Sequence, residues 1–323
     1  MAAEVRIGMV GAGSVARRHA VNLGALPGVR IAGVADPDAG AGAALADQAG
    51  ATAYPGHEEL IQAQELDGLY VCVPPFAHGP PERAAVAAGL PLFVEKPVAL
   101  DLATAEEIGA AIAGRGLITA TGYHLRHLDV ADRAAALLEG RPVRLVVAAW
   151  LDKVPPVGWW LDESRSGGQI VEQATHVIDL ARHLVGEIEE VHAVQARRDA
   201  VADASVATLR FAGGAVGSLS ATFVLAAKHR AGLTLAADGL ALELSETELV
   251  VDRGDGAPEV HAGDLDAARR AVDEAFVAAV RGDASAVRTP YDEALRTHRV
   301  GRALTRSAQQ GRPVVVAQGG SGA

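Results

Sequence analysis

Over the first 122 residues, short apolar blocks alternate with stretches of helical spacing. Residues 5–10, 30–35, 52–54, 69–73, 92–94 and 117–121 read as strands. A segment reaching about Leu26, one beginning near Asp38, and residues 57–63, 80–88 and 102–113 read as helices, the last with Asp101 or Leu102 near its cap. Strands that alternate with helices predict a parallel, doubly wound sheet. Ligands of such sheets lie beyond the carboxyl ends of the strands. Those ends are marked by Gly11, Asp36, Val73-Pro74-Pro75, Glu95-Lys96-Pro97 and Gly122-Tyr123.

After about Gly122 the pattern changes. Residues 128–138 read as a helix and 142–150 as a strand, followed by a loop rich in Pro and Trp over 153–166 and a helix starting near Val171. Apolar blocks at 191–197, 205–211, 215–224, 229–236 and 240–244 then follow with mostly turn residues between them, and Ala212-Gly213-Gly214 is a hairpin signal. Strands without intervening helices pair antiparallel. Helices over 265–280 and 291–309 close the chain, and the tail from Gly319 to Ala323 is expected to carry no structure. The expectation is an α/β protein. It places a doubly wound parallel domain in 1–122 and an α+β domain with an open, mostly antiparallel sheet in 123–323.

The first strand runs into Gly11-Ala12-Gly13-Ser14-Val15-Ala16, and a helix follows. This is the G-x-G-x-x-A fingerprint of a dinucleotide site in its required setting. Gly11 permits the tight turn, Gly13 lets backbone approach a pyrophosphate, and Ala16 is small enough for close helix packing. The amides of Ser14 and Val15 at the helix start would face the anion. Asp36 ends the second strand about twenty residues on, where a carboxylate accepts from the ribose hydroxyls. It also repels a 2'-phosphate, and Pro37-Asp38 brings no Arg to offset that, so NAD is expected over NADP. The plainer alternative is that Asp36 caps the next helix.

In the stretch Ser166 to Asp179, a helix from near Val171 would put Glu172, His176 and Asp179 on neighbouring sides. Val177, Ile178, Ala181, Leu184 and Val185 would pack its other side. An imidazole with two carboxylates can move a proton near neutral pH. A histidine among apolar residues is also an ordinary packing residue. Glu172 and His176 could ligate a metal, but His183 lies about 10 Å further along the helix and no Cys is near, so no metal is expected. Trp159 and Trp160 could stack on a sugar ring or cap the core. Arg126, Lys153 and Arg165 could hold an acidic or hydroxylated substrate, or form a solvated face.

A length of 323 residues suits two domains, and the half of the residues that are apolar can fill both cores. The net charge of −11 disfavours a nucleic-acid surface, and the basic pairs Arg17-Arg18 and Arg197-Arg198 read as solvated. No apolar run reaches the roughly 18 residues of a membrane span. The start lacks the pattern of a signal peptide, so a cytoplasmic location is expected. Cys72 is single, which rules out an internal disulfide, and its apolar surroundings predict burial.

Several motifs in order resemble the glucose-fructose oxidoreductase, inositol dehydrogenase and rhizopine-catabolism (Gfo/Idh/MocA) family. They are Gly11-Ala12-Gly13 with His19, Pro74-Pro75-x-x-His78, Glu95-Lys96-Pro97, and Gly167-Gly168 with Glu172, His176 and Asp179. The resemblance implies a Rossmann domain, a C-terminal domain whose open sheet often makes oligomer contacts (a dimer or tetramer), and NAD(P)-dependent redox chemistry on a sugar or polyol. It places Gly11, Gly13, Ser14, Val15, Asp36, Pro74, His78, Glu95 and Lys96 around the cofactor, and Tyr123, His124, Trp160 and Asp179 around the substrate. Lys96 matches the lysine that hydrogen-bonds the reacting hydroxyl, His176 the acid/base, and Glu172 stands where many members have Asp. Ser166 replaces a third glycine, and Tyr123-His124 stands where a polar residue is common. In the implied mechanism His176 takes the hydroxyl proton, Lys96 polarises the oxygen, and Glu172 or Asp179 positions the imidazole or a neighbouring hydroxyl. Two alternatives are a nucleotide-binding regulator without turnover and a non-redox glycoside cleavage through transient NAD oxidation.

Overall fold

The computed structural model describes residues 4–198 and 201–317, and the tail from Gly319 lies outside them. The described residues form two compact units. One runs up to Gly122 and takes in Arg269–Leu295; the other comprises Tyr123–Ala268 and the residues from Arg296 onward.

The first unit alternates as its sequence predicts: β1 (Val5–Val10), α1 (Ser14–Gly24), β2 (Val29–Ala35), α2 (Ala39–Ala49), β3 (Thr52–Tyr54), α3 (His57–Ala63), β4 (Gly68–Val71), α4 (Pro80–Ala88), β5 (Leu92–Val94), α5 (Leu102–Arg115) and β6 (Thr119–Thr121). All strand pairs are parallel, in the order β3-β2-β1-β4-β5-β6. The direction of winding reverses between β1 and β4, where such sheets open a crevice beyond the strand ends. Ile7, Met9, Leu23, Tyr70 and Phe93 are completely buried beneath that edge. The rings of Tyr70 and Phe93 stack at 4.4 Å, and Phe276 meets both edge-on. Cys72 is buried, as its apolar setting predicts.

The second unit contains α6 (Asp129–Leu138), β7 (Val143–Leu151), α7 (Glu163–Ser166), α8 (Gln169–Glu172), α9 (Thr175–Val185), β8 (Ile188–Arg198), β9 (Val201–Phe211), β10 (Val216–Thr222), β11 (Arg230–Ala237), β12 (Leu240–Ser245), β13 (Glu248–Asp252), β14 (Glu259–Ala262) and β15 (Val314–Val315). Helices α10 (Leu265–Val280) and α11 (Tyr291–Gln310) belong partly to each unit, because 269–295 fall in the first. The nine strands are ordered β14-β13-β12-β11-β7-β10-β9-β8-β15. Every pair is antiparallel except β7 with β10. A parallel neighbour needs a crossover, which the segment carrying α7, α8 and α9 begins. On β7, Val146, Ala148 and Trp150 are buried while Leu145 and Val147 are exposed, so one sheet face is packed and the other open. No helix among the described residues is long and apolar enough to cross a membrane.

One element differs from its reading. The helix expected from near Val171 is two helices, with a turn at Gln173-Ala174. Ala174 N donates to Gln169 O, five residues back, and His176 N donates to Gln173 O, three back. This change of hydrogen-bond spacing resets the helical phase between Glu172 and His176. Val171, Ala174, Val177, Ile178 and Ala181 keep i, i+3 and i+4 spacing across the break and are all buried, so the apolar pattern conceals it.

Candidate active site

The nucleotide fingerprint folds as a sharp turn between β1 and α1. Gly11 has φ +98°, and an added Cβ would lie 2.2 Å from the Cys72 carbonyl oxygen, so no other residue fits. Gly13 precedes α1, and an added Cβ there would meet nothing within 4 Å. Ser14 is exposed and Val15 half-buried, while Ala16 is sealed against the sheet. The first amides of α1 have no acceptor within the helix. An open, donor-lined loop of this kind fits a pyrophosphate.

Asp36 stands beside that loop. One carboxylate oxygen accepts from Ala12 N at 2.7 Å and the other from Asp38 N at 2.8 Å. It is Asp38, not Asp36, that caps α2, by accepting from the amides of Gly40 and Ala41. Each Asp36 oxygen keeps lone-pair capacity for a ribose hydroxyl. Pro74 is half-buried after β4. His78 is enclosed: its Nδ1 is 2.6 Å from Glu82 Oε1, Gly79 N donates to Glu82 Oε2 at 2.6 Å, and both side chains are fully buried.

Lys96 follows β5, half-buried. The Glu95 side chain turns back beneath it, with Oε2 accepting the Lys96 N–H at 3.0 Å and Oε1 accepting from His19 Nε2 at 2.9 Å. His19 Nδ1 donates to Asp273 Oδ1 at 2.6 Å, and Asp273 also accepts from Asn22 Nδ2 and the Tyr70 hydroxyl. Burial pulls the His19 pKa down, but the two carboxylates outweigh it and hold the imidazole pKa at about 9. Burial pushes Glu95 up, yet His19, Arg18 and Lys96 more than offset this and bring it to about 2. Asp273 lies 254 residues from His19, and nothing in the local sequence announces it.

In the second unit, His176 sits near the start of α9 and is 6% exposed. Its ring stacks on Trp150 at 5.5 Å, lies 4.9 Å from the ring of His124, and meets Tyr123 edge-on at 5.9 Å. Lys228 Nζ stands 4.2 Å over the Trp150 ring. Tyr123 is buried, which raises its phenol pKa, and its hydroxyl is 2.7 Å from Thr175 Oγ1. Glu172, half-buried, accepts from Trp160 Nε1 at 2.7 Å. Trp160 itself is 2% exposed with its ring edge-on to Phe223, an arrangement that caps the core.

Asp179 does not face open space. It is completely buried, and both oxygens accept from Arg126, Nε and Nη2 each at 2.7 Å. Thr297 Oγ1 donates to Asp179 as well, and accepts from Arg182, which also pairs with Glu187. Arg126 is therefore a buried clamp on α9, whereas Lys153 and Arg165 are exposed. Before α8, Gly167 and Gly168 have φ +76° and +83°, and buried Ser166 bridges Asp162 O and Gly168 N with its hydroxyl.

Residues 5–123 match the model of the GFO/IDH/MocA oxidoreductase family with its NAD-binding Rossmann fold, and residues 133–243 match the GFO/IDH/MocA C-terminal domain. The chain belongs to the GFO/IDH/MocA family. A 1,5-anhydro-D-fructose reductase of Ensifer adhaerens is 28% identical over 231 residues, 68% of this chain and 69% of that enzyme. A myo-inositol 2-dehydrogenase of Thermotoga maritima is 28% identical over 66% of this chain and 67% of its own. In fold, the chain is similar to levoglucosan dehydrogenase in complex with NADH and levoglucosan, with TM-score 0.87, 20% identity, and coverage of 98% of this chain and all of that one.

Within this GFO/IDH/MocA member, the expected site residues lie near turns or element ends except Asp179, which is inside α9, and several point inward. Asp179, His78 and Trp160 are engaged with Arg126, Glu82 and Glu172. Partners outside the expectation from sequence include Asp273, Glu82, Thr175, Thr297, Trp150 and Lys228. Trp150 alone had a local signal, an aromatic at the inward position of a strand.

Proposed function

We propose that this GFO/IDH/MocA oxidoreductase interconverts a secondary alcohol and a ketone on a sugar, inositol or related polyol, with NAD as the partner. The observation that carries the reading is that the Gly11 turn, Asp36 and Glu95-Lys96 all follow the carboxyl ends of strands in one parallel sheet. Bound there, the nicotinamide would supply hydride acceptance. The amides of Ser14 and Val15 hold the pyrophosphate, and Asp36 holds the ribose hydroxyls. Lys96 donates to the reacting oxygen as negative charge develops, and His176 accepts the hydroxyl proton. Glu172, fixed by Trp160, orients a neighbouring hydroxyl. Asp179 serves by positioning α9 through Arg126, and Tyr123, through Thr175, steadies the same helix start; His124 lines the imidazole. Neither relative cited above is named as a regulator or a glycosidase.

The deciding measurement is NADH formation by purified protein across inositols, aldoses, lactones and acidic sugars, with Lys96→Met as control. Losing one donor to a developing oxyanion costs about 10²- to 10³-fold in kcat. Lys96→Met turning over at the wild-type rate refutes the role.

Asp36 also makes NAD the preferred nucleotide. Wild type should favour NAD over NADP in kcat/KM by at least about tenfold, the effect of roughly 1.4 kcal/mol of charge repulsion. Asp36→Ala should narrow that ratio, and equal use of both nucleotides by wild type contradicts the assignment. The open sheet face, with Leu145, Val147, Val206 and Val216 exposed, supports a homo-oligomer, dimer or tetramer.

A further inference from the structure

We propose that His19 and Asp273 are positioning residues for Lys96: the imidazole ties the Asp273 carboxylate to that of Glu95, and Glu95 fixes the peptide N–H of Lys96. The inference rests on the reading of Lys96 as the group that polarises the substrate oxygen.

Three observations carry it. Both ring nitrogens of His19 face carboxylate oxygens, at 2.6 and 2.9 Å. A neutral imidazole would turn a lone pair toward one of them, so the pairing calls for two N–H donors, an imidazolium. Second, the chain has one seat for each member. The His19 ring is wedged against Phe93 at 4.9 Å and Tyr70 at 5.4 Å, and Glu95 lies under Gly122, where an added Cβ would come within 2.3 Å of its carboxylate. Third, the arrangement is expensive. Asp273 is 0% exposed, His19 2% and Glu95 5%, and desolvating such ions costs several kcal/mol each, so apolar residues of similar volume would stabilise the fold at least as well. Buried charge that an apolar set could often replace, placed directly against the Lys96 peptide, points to a local use.

The same relay reaches the nucleotide loop, because His19 lies on α1, which begins at the fingerprint. The groups around the imidazole are Asp273 from α10, Glu95 from the end of β5, and Tyr70 from β4, with Cys72 nearby. Arg18 approaches Glu95 at 3.9 Å, and Lys96 adds a further positive charge. The imidazole pKa is raised from its ordinary 6.5 to about 9. Its stabilising contribution is therefore complete below 6.5 and is lost as pH rises through 9.

The test uses the full-length enzyme with His19→Gln, Asp273→Asn and Lys96→Met. Four quantities are read: kcat, KM for the alcohol, the Kd of NADH by fluorescence, and the thermal unfolding midpoint from pH 6 to 10. Misplacing a reacting group by about 1 Å costs on the order of 10²-fold, so His19→Gln should lose about that much kcat while NADH Kd moves less than about threefold. The decline of the wild-type midpoint between pH 6.5 and 9 should flatten in His19→Gln. If Lys96→Met is inactive while folded His19→Gln keeps wild-type kcat, the positioning role is overturned. Lower midpoints with kcat unchanged show a structural role and overturn it too. Should His19→Gln fail to fold, Asp273→Asn, which keeps the side-chain shape, decides by the same criteria. Wild-type turnover by Lys96→Met would instead refute the role of Lys96 on which this inference rests, and no NADH formation by wild type across the substrate panel would refute the proposed function itself.

Discussion

His176→Ala is expected to lower kcat by about 10²- to 10⁴-fold, the usual loss when a general base is removed, with NADH binding intact. Aromatic faces surround the imidazole: Trp150 stacks on it, and the rings of His124 and Tyr123 close two further sides. Such a setting fixes the ring plane, so a replacement side chain cannot drift into the same place. The ring lies near the start of α9, whereas the nucleotide-binding role is proposed for the Gly11 turn and Asp36. The loss should therefore fall on kcat and not on NADH affinity, as read by stopped-flow turnover and fluorescence titration. If the two groups act on one substrate oxygen as proposed, a double variant with Lys96→Met should lose far less than the product of the two single losses. Turnover within a factor of about three of wild type in His176→Ala would remove the histidine from the mechanism.

Arg126→Met is expected to destabilise the second unit by about 3–5 kcal/mol, the range for removing one partner of a buried ion pair. Asp179 has no exposed surface, and its bidentate partner is Arg126; Thr297 and the more distant Arg182 would be left to answer its charge. Arg126→Met with Asp179→Leu should recover most of the loss, because an apolar pair of similar volume is often neutral or better. Denaturant unfolding of the single and double variants decides between an ion pair that holds α9 and an aspartate that is free to bind substrate. A loss below about 1 kcal/mol in the single variant, the value of an exposed pair, would favour the latter.

The leading 122 residues were legible almost element by element because alternation of strand and helix is a local property, whereas the return of 269–295 to the same unit, against the expected boundary at 122, has no local mark. The fingerprint, Asp36 and Lys96 each follow an apolar block, and the fold places each at a strand end. The second unit resisted at β13, β14 and the two-residue β15, and at the break between α8 and α9. Strands β13 and β14 are short, and Val260 on β14 is 63% exposed, so no inward apolar stripe marked that strand. The break between α8 and α9 is a change in backbone hydrogen bonding beneath unbroken apolar spacing. Site residues were found where their type was unusual for their element, as with His176 on an apolar helix. Their partners were not, because Asp273 and Thr297 reach their charges across long stretches of chain.

The return of 269–295 to the first unit limits how that unit can be transplanted. A graft of the leading 122 residues onto a relative would carry the Gly11 turn, Asp36 and Lys96 but leave Asp273 and Phe276 behind. His19 would keep a single counter-ion, and Tyr70 and Phe93 would lose the ring packed against their edges. A working chimera has to move both pieces together, with the junctions cut inside α10 and α11.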